Sequence, residues 1–210
     1  MASSSSSASG PITADTPLIK ITKPTAEICA LFPLSPEGRA QFDPDPALSP
    51  AAFLDRLCGE GLAIDAIRFM AHGLPSREAV WWACLAARAV ADATSAEETS
   101  AIEAAEAWVY HPDEDHRRTA MVAAEAVGNN ESPARWAAAA AAWSGGSLAP
   151  PEAPVVPPGE TLTAQAVTGA VLLAAVRREP ERAPERHRRA IAQAVDIARG
   201  GTGRQAGESR

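Results

Sequence analysis

Residues 137–142 are six consecutive alanines, with Trp136 before them and Trp143 after. Alanine has the highest helix propensity, so this run predicts a helix. Seven residues make about two turns, which puts both tryptophans on the same side. Hydrophobic residues make up 46% of the 210-residue chain, and much of that share is alanine. An alanine-rich core lets helices approach closely but buries little area per residue, so the few large side chains carry disproportionate weight. Trp81, Trp82, Trp108, Trp136 and Trp143 are expected to act as wedges between such helices. Their other use would be to line a binding groove.

Helix punctuation runs along most of the chain. Ser49-Pro50 opens a helix by capping its orphan amides and placing Pro in the first turn. Gly59 and Gly61 stop it. A second helix is predicted over 62–72 and ends at Gly73. Pro75-Ser76 opens a third over 77–93, apolar nearly all round, which places it at the centre. Ser95 with Glu98 reads as a capping box. The helix it starts turns Ile102, Ala105, Trp108 and Val109 to one face and Glu103 and Glu106 outward, and His111-Pro112 ends it. Asp113, Glu114 and Asp115 suit the positive N-terminus of the next helix. Gly128-Asn129-Asn130 closes that one, and Ser132-Pro133 repeats the opening signature. A turn at 144–147 leads into a Pro-rich connector over 149–159. Helices follow over 163–178 and 187–199, with Pro180 and Pro184 as interruptions between them.

The expected fold is all-α, a bundle or short array of antiparallel helical hairpins with disordered N- and C-terminal tails. Residues 1–17 are a Ser/Ala-rich tail, expected to be disordered. Residues 18–48 read as a mostly irregular lead-in, with one short strand over 18–24 and a helical turn after Ser35-Pro36. The helical domain is expected over 49–200 and a flexible tail over 201–210.

The net charge is −7 and unevenly placed: residues 177–210 hold nine Arg against five acids, leaving −11 on residues 1–176. Residues 92–125 hold nine acids opposed only by Arg117 and Arg118. An acidic body argues against nucleic acid as a partner, since phosphate contacts need clustered Lys and Arg. Cys29, Cys58 and Cys84 are far apart and odd in number, which fits reduced thiols in a cytoplasmic protein. The N-terminus lacks the features of a signal peptide. No apolar run reaches membrane-spanning length, the longest being nine residues over 79–87.

No catalytic motif is present: no Gly-x-Ser-x-Gly, no P-loop, no Cys-x-x-Cys. His111, Asp113, Asp115 and His116 invite a metal reading, but a helix break separates His111 from the rest and two arginines follow. No metal and no cofactor is expected. Arg117 and Arg118 are expected to pair with Glu103 or Glu106 of the preceding helix. Arg77 and Glu78, beside Trp81 and Trp82, would either anchor a ligand carboxylate or cap the helix mouth.

Three blocks can be read together: residues 74–84, residues 107–109 with Pro112 and Arg117-Arg118, and residues 143–150. Over about 70–176 they resemble a family of small all-helical proteobacterial proteins of unknown function, often found beside type VI secretion genes. The resemblance implies a cytosolic accessory protein, an adaptor or chaperone for a secreted effector, and carries over no catalytic residue.

Three function classes remain: a non-catalytic protein-binding accessory factor, a structural or regulatory helical module, and an enzyme of unrecognised type. The first is favoured. The candidate binding residues are Arg77, Glu78, Trp82, Glu103, Glu106, Arg117, Arg118 and Trp143. The acidic stretch suits a partner with a basic segment, because opposite potentials steer association.

Overall fold

The computed structural model describes residues 17–42, 48–91, 95–150 and 152–204. Among them the fold is all-α. Ten α-helices follow in order: α1 (Thr25–Ala30), α2 (Pro36–Gln41), α3 (Pro50–Gly59), α4 (Ala63–Gly73), α5 (Ser76–Arg88), α6 (Ala96–Tyr110), α7 (Glu114–Ala126), α8 (Pro133–Ala142), α9 (Leu162–Val176) and α10 (Ala183–Ala198). A 3-10 turn, Pro180–Arg182, leads into α10. Among the described residues no helix is long and apolar enough to cross a membrane.

Five of the ten helix starts carry side-chain caps. Ser35, Ser49, Ser95, Asp113 and Ser132 each accept a bond from an amide three residues on, satisfying one of the orphan donors. Gly61 closes α3 in the left-handed region, with φ of 72°.

α5 is the centre. It packs against α6, α8, α9 and α10, and Val80, Trp82, Ala83 and Cys84 are wholly buried. α8 lies against α5, α6, α7 and α9, with its alanines in the core. Alanine there lets four neighbours approach one short helix. Trp136, in the first turn of α8, and Trp143, at its C-cap, do meet, ring centroids 6.1 Å apart and edge to face.

Four local expectations are corrected. The strand over 18–24 does not form: 18–21 makes a turn, and α1 starts at Thr25. Leu18 and Ile21 are buried, and the Lys20 amide donates to the Ala198 carbonyl at 2.9 Å, so the segment docks on the end of α10 without a partner strand. α1 was missed because its start has no side-chain cap; burial of Ile28 holds it. α5 ends five residues early, at Arg88, because the bonds tighten to the i+3 type and turn Val90 into the core. Pro184 does not interrupt a helix; it sits in the first turn of α10, where a missing amide costs nothing.

The expectation of a flexible tail from 201 is not met through Arg204. The Gly203 amide donates to the Asp196 carboxylate at 2.8 Å. Gly203 has φ of 70°, and a Cβ there would stand 2.8 Å from Ile197. Residues 205–210 and the expected N-terminal tail through residue 16 lie outside the described residues.

Candidate binding surface

The arginine pair on α7 serves the fold. Arg117 is 3% exposed. Its guanidinium donates to both oxygens of Glu114, to the Ala142 carbonyl at 2.6 Å and to the Ser147 carbonyl at 2.9 Å. Arg118 shares Glu114 Oε1 with Arg117 and donates to the Ala149 carbonyl. This corrects the expected pairing with Glu103 or Glu106. The arginines close the turn after α8 instead, satisfying the Ala142 carbonyl at the helix end and the Ser147 and Ala149 carbonyls beyond it. Gly146 makes room for them: φ is 64°, and a Cβ would stand 2.7 Å from both Arg117 Nε and Glu114 Oε2. Arg117's hydrogen bonds, above all, pull the Glu114 carboxyl down to about 2. Trp143 is half-buried against Trp136, at the C-cap of α8 beside this turn.

The acidic stretch is largely committed as well. Glu98 accepts from Ser132 Oγ at 2.7 Å and meets Arg177 at 2.9 Å, tying α6 to the start of α8 and the end of α9. Glu106 forms a bidentate pair with Arg88. Asp113 caps the His116 amide and also holds its ring nitrogen at 2.7 Å. Glu97, Glu103, Asp115 and Glu125 remain exposed, and Asp92 lies outside the described residues. Among the described residues no group of three His, Cys, Asp or Glu side chains stands where it could hold a metal ion. Burial pushes the thiol of Cys29 up to about 12 and that of Cys58 to about 11. Burial raises Cys84 further still. None is primed as a thiolate at neutral pH.

Arg77 and Glu78 do meet aromatic surface, though not Trp82. Trp82 is sealed in the core. One residue earlier, Trp81 faces outward, half-buried, in a notch of about 380 Å³. Tyr110, at the end of α6 and 59% exposed, lies across from it with ring centroids 6.2 Å apart. Arg77 is held by a bond from Nε to the Val109 carbonyl at 2.6 Å. Glu78 pairs with Lys20 at 3.0 Å. The strap after α10 forms the remaining wall: Trp81 Nε1 donates to the Thr202 carbonyl at 2.7 Å, and the Arg204 guanidinium lies over the Trp81 ring at 5.1 Å.

The sequence reading missed Lys20, Trp81's outward face, Tyr110, Thr202 and Arg204. One signal was available: Tyr110 is the sole tyrosine, and it directly precedes the His111-Pro112 helix stop, where a side chain escapes the packed face. No periodicity reports the strap.

A search of curated proteins and a search of solved structures find no match to the chain. The model of a family of unknown function, DUF6931, matches residues 53–198, from the middle of α3 to the end of α10. That span is well over half of the sequence, and the chain belongs to this family of unknown function, DUF6931.

Proposed function

We infer that the protein is a non-catalytic binding module that captures a protein segment at the Trp81–Tyr110 notch. One observation carries this reading. Tryptophan, tyrosine and arginine, the residue types that dominate binding hot spots, gather in one concavity with Tyr110 largely uncovered. Rigid aromatic rings give contact area at low entropic cost. Lys20, Arg77 and Arg204 against Glu78 leave the rim cationic, which suits an acidic or carboxylate-bearing segment. The finer form of this reading, an adaptor or chaperone linked to type VI secretion, draws on the resemblance of residues 70–176 to proteins found beside such genes; the matched family itself is one of unknown function.

A partner with a basic segment is a second reading. It draws on the four exposed carboxylates Glu97, Glu103, Asp115 and Glu125.

Affinity capture from the native host, with wild type and Tyr110→Ala as parallel baits, tests the notch. The expected result is a partner retained by wild type and depleted at least roughly tenfold by the variant, the loss typical of an aromatic hot spot. An identical captured set would end the proposal for this surface. Loss instead on Glu103→Lys would favour the second reading.

A further inference from the structure

A larger concavity of about 810 Å³ lies between the α3–α4 turn, the start of α2 and the first half of α10. Its size falls within the roughly 300–1,000 Å³ of small-molecule sites. The floor is aliphatic. Leu62, Ile64, Ile191 and Ala192 form it, and no Phe, Tyr or Trp lines it. Ile64 is 48% exposed, a large apolar side chain left uncovered in the first turn of α4.

Polar groups converge on the groove from both walls. Arg68 comes from α4, and His187 and Arg188 from α10. Among the described residues neither guanidinium closes an ion pair. His187 Nε2 is buried and has no hydrogen-bond partner among the described residues. Burial also holds the imidazole below its ordinary value, so at neutral pH it is an uncharged ring in the groove wall and does not add to the cationic charge of the two arginines.

The acids in the lining do not cancel this. Asp65 is 3% exposed and committed to α2: the Ser35 amide donates to it at 3.1 Å and the Ser35 hydroxyl donates to its other oxygen. Gly38 is required beside it, because a Cβ would stand 2.5 Å from Asp65 Oδ2. Among the described residues Glu37 is then the one exposed acid on the rim, against two guanidiniums.

We propose that this groove binds a single-chain amphiphile with a carboxylate head, its alkyl chain on the Leu62–Ile64–Ile191 floor and its head toward Arg68 and Arg188. Guanidinium forks match a carboxylate bidentately. The aliphatic floor suits an alkyl chain, whereas a planar ring would find no aromatic surface to stack on. The site is separate from the Trp81–Tyr110 notch and does not depend on the reading given to it.

Isothermal titration of the full chain with dodecanoate, below its micelle concentration, tests the proposal. Saturable one-to-one binding with a Kd on the order of 100 µM is expected for a ligand of this size. The Arg68→Ala/Arg188→Ala variant should bind at least about tenfold more weakly, having lost two charge-assisted contacts. Glu37→Gln should bind about twofold to threefold more tightly, with a rim repulsion removed. Dodecyltrimethylammonium should not saturate, and hexanoate should bind at least about tenfold more weakly, since each buried methylene adds affinity. No saturable dodecanoate binding overturns the proposal, as does equal binding of the cationic amphiphile. If the double variant does not fold by circular dichroism, Glu37→Gln and the cationic control decide alone. Dodecanoate bound by Glu37→Gln no more tightly than by wild type, or comparable binding of the cation, would refute the anionic head.

Discussion

The turn after α8 and the notch beside α5 hold the same residue types, arginine and tryptophan with a glutamate near by, and use them in opposite ways. At the turn, Arg117 is 3% exposed and spends its donors on Glu114 and two carbonyls. At the notch, Arg77 makes one bond to a carbonyl, Arg204 lies on a ring, and Tyr110 is 59% exposed. The first set satisfies backbone groups that burial would otherwise orphan. The second leaves aromatic and cationic surface facing outward. Residue type does not separate a structural arginine from a binding one; the partners it already has do.

Adjacent tryptophans sharpen the contrast most. Trp82→Ala should destabilise by about 3–5 kcal/mol, the usual loss for a buried large aromatic. Trp82→Phe should cost clearly less. It keeps most of the ring and removes an indole N–H that is buried without a partner among the described residues. Urea denaturation measures both, and a Phe variant as unstable as the Ala variant would show that the N–H is in fact satisfied. Amides over 79–87 should be among the slowest to exchange, since α5 opens only with the whole fold.

Next in size is the turn itself. Arg117→Ala should cost about 3 kcal/mol, because it strands the Ala142 and Ser147 carbonyls in a buried site. Gly146→Ala should cost about 1–2 kcal/mol from left-handed strain alone, plus the clash with the Arg117–Glu114 pair. Retention of wild-type stability by either would remove the turn from the account.

A smaller effect is visible in acid. Glu114 has its folded value lowered from 4.5 to about 2. A depressed carboxyl stabilises above the unfolded value, and that contribution fades as pH falls from 4.5 through about 2. Its side chain is 48% exposed, so solvent screening keeps the effect modest. The stability gap between wild type and Arg117→Ala should therefore narrow across that window. A gap unchanged with pH would mean that the arginine acts only through the carbonyls.

How much of this the sequence disclosed depends on range. The starts at Ser49, Ser95 and Ser132 were legible because a cap is a contact over three residues. The central burial of α5 was legible from its all-round apolarity. The notch was not. Its Trp81–Thr202 bond joins positions 121 residues apart, and its fourth wall is a strap that composition reads as a tail. The α4–α10 groove was missed for the same reason. Each wall looks like an ordinary helix face until the two are brought together.

The smallest stability effect belongs to the notch. Tyr110→Ala removes a largely exposed ring and should change stability by less than about 0.5 kcal/mol. Thermal unfolding of Arg117→Ala and Tyr110→Ala side by side is the most direct test of the division between a turn that holds the fold and a notch that faces a partner. Tm should fall by about 6–12 °C for Arg117→Ala and by less than about 2 °C for Tyr110→Ala. Equal shifts, or a larger one for Tyr110→Ala, would contradict that division.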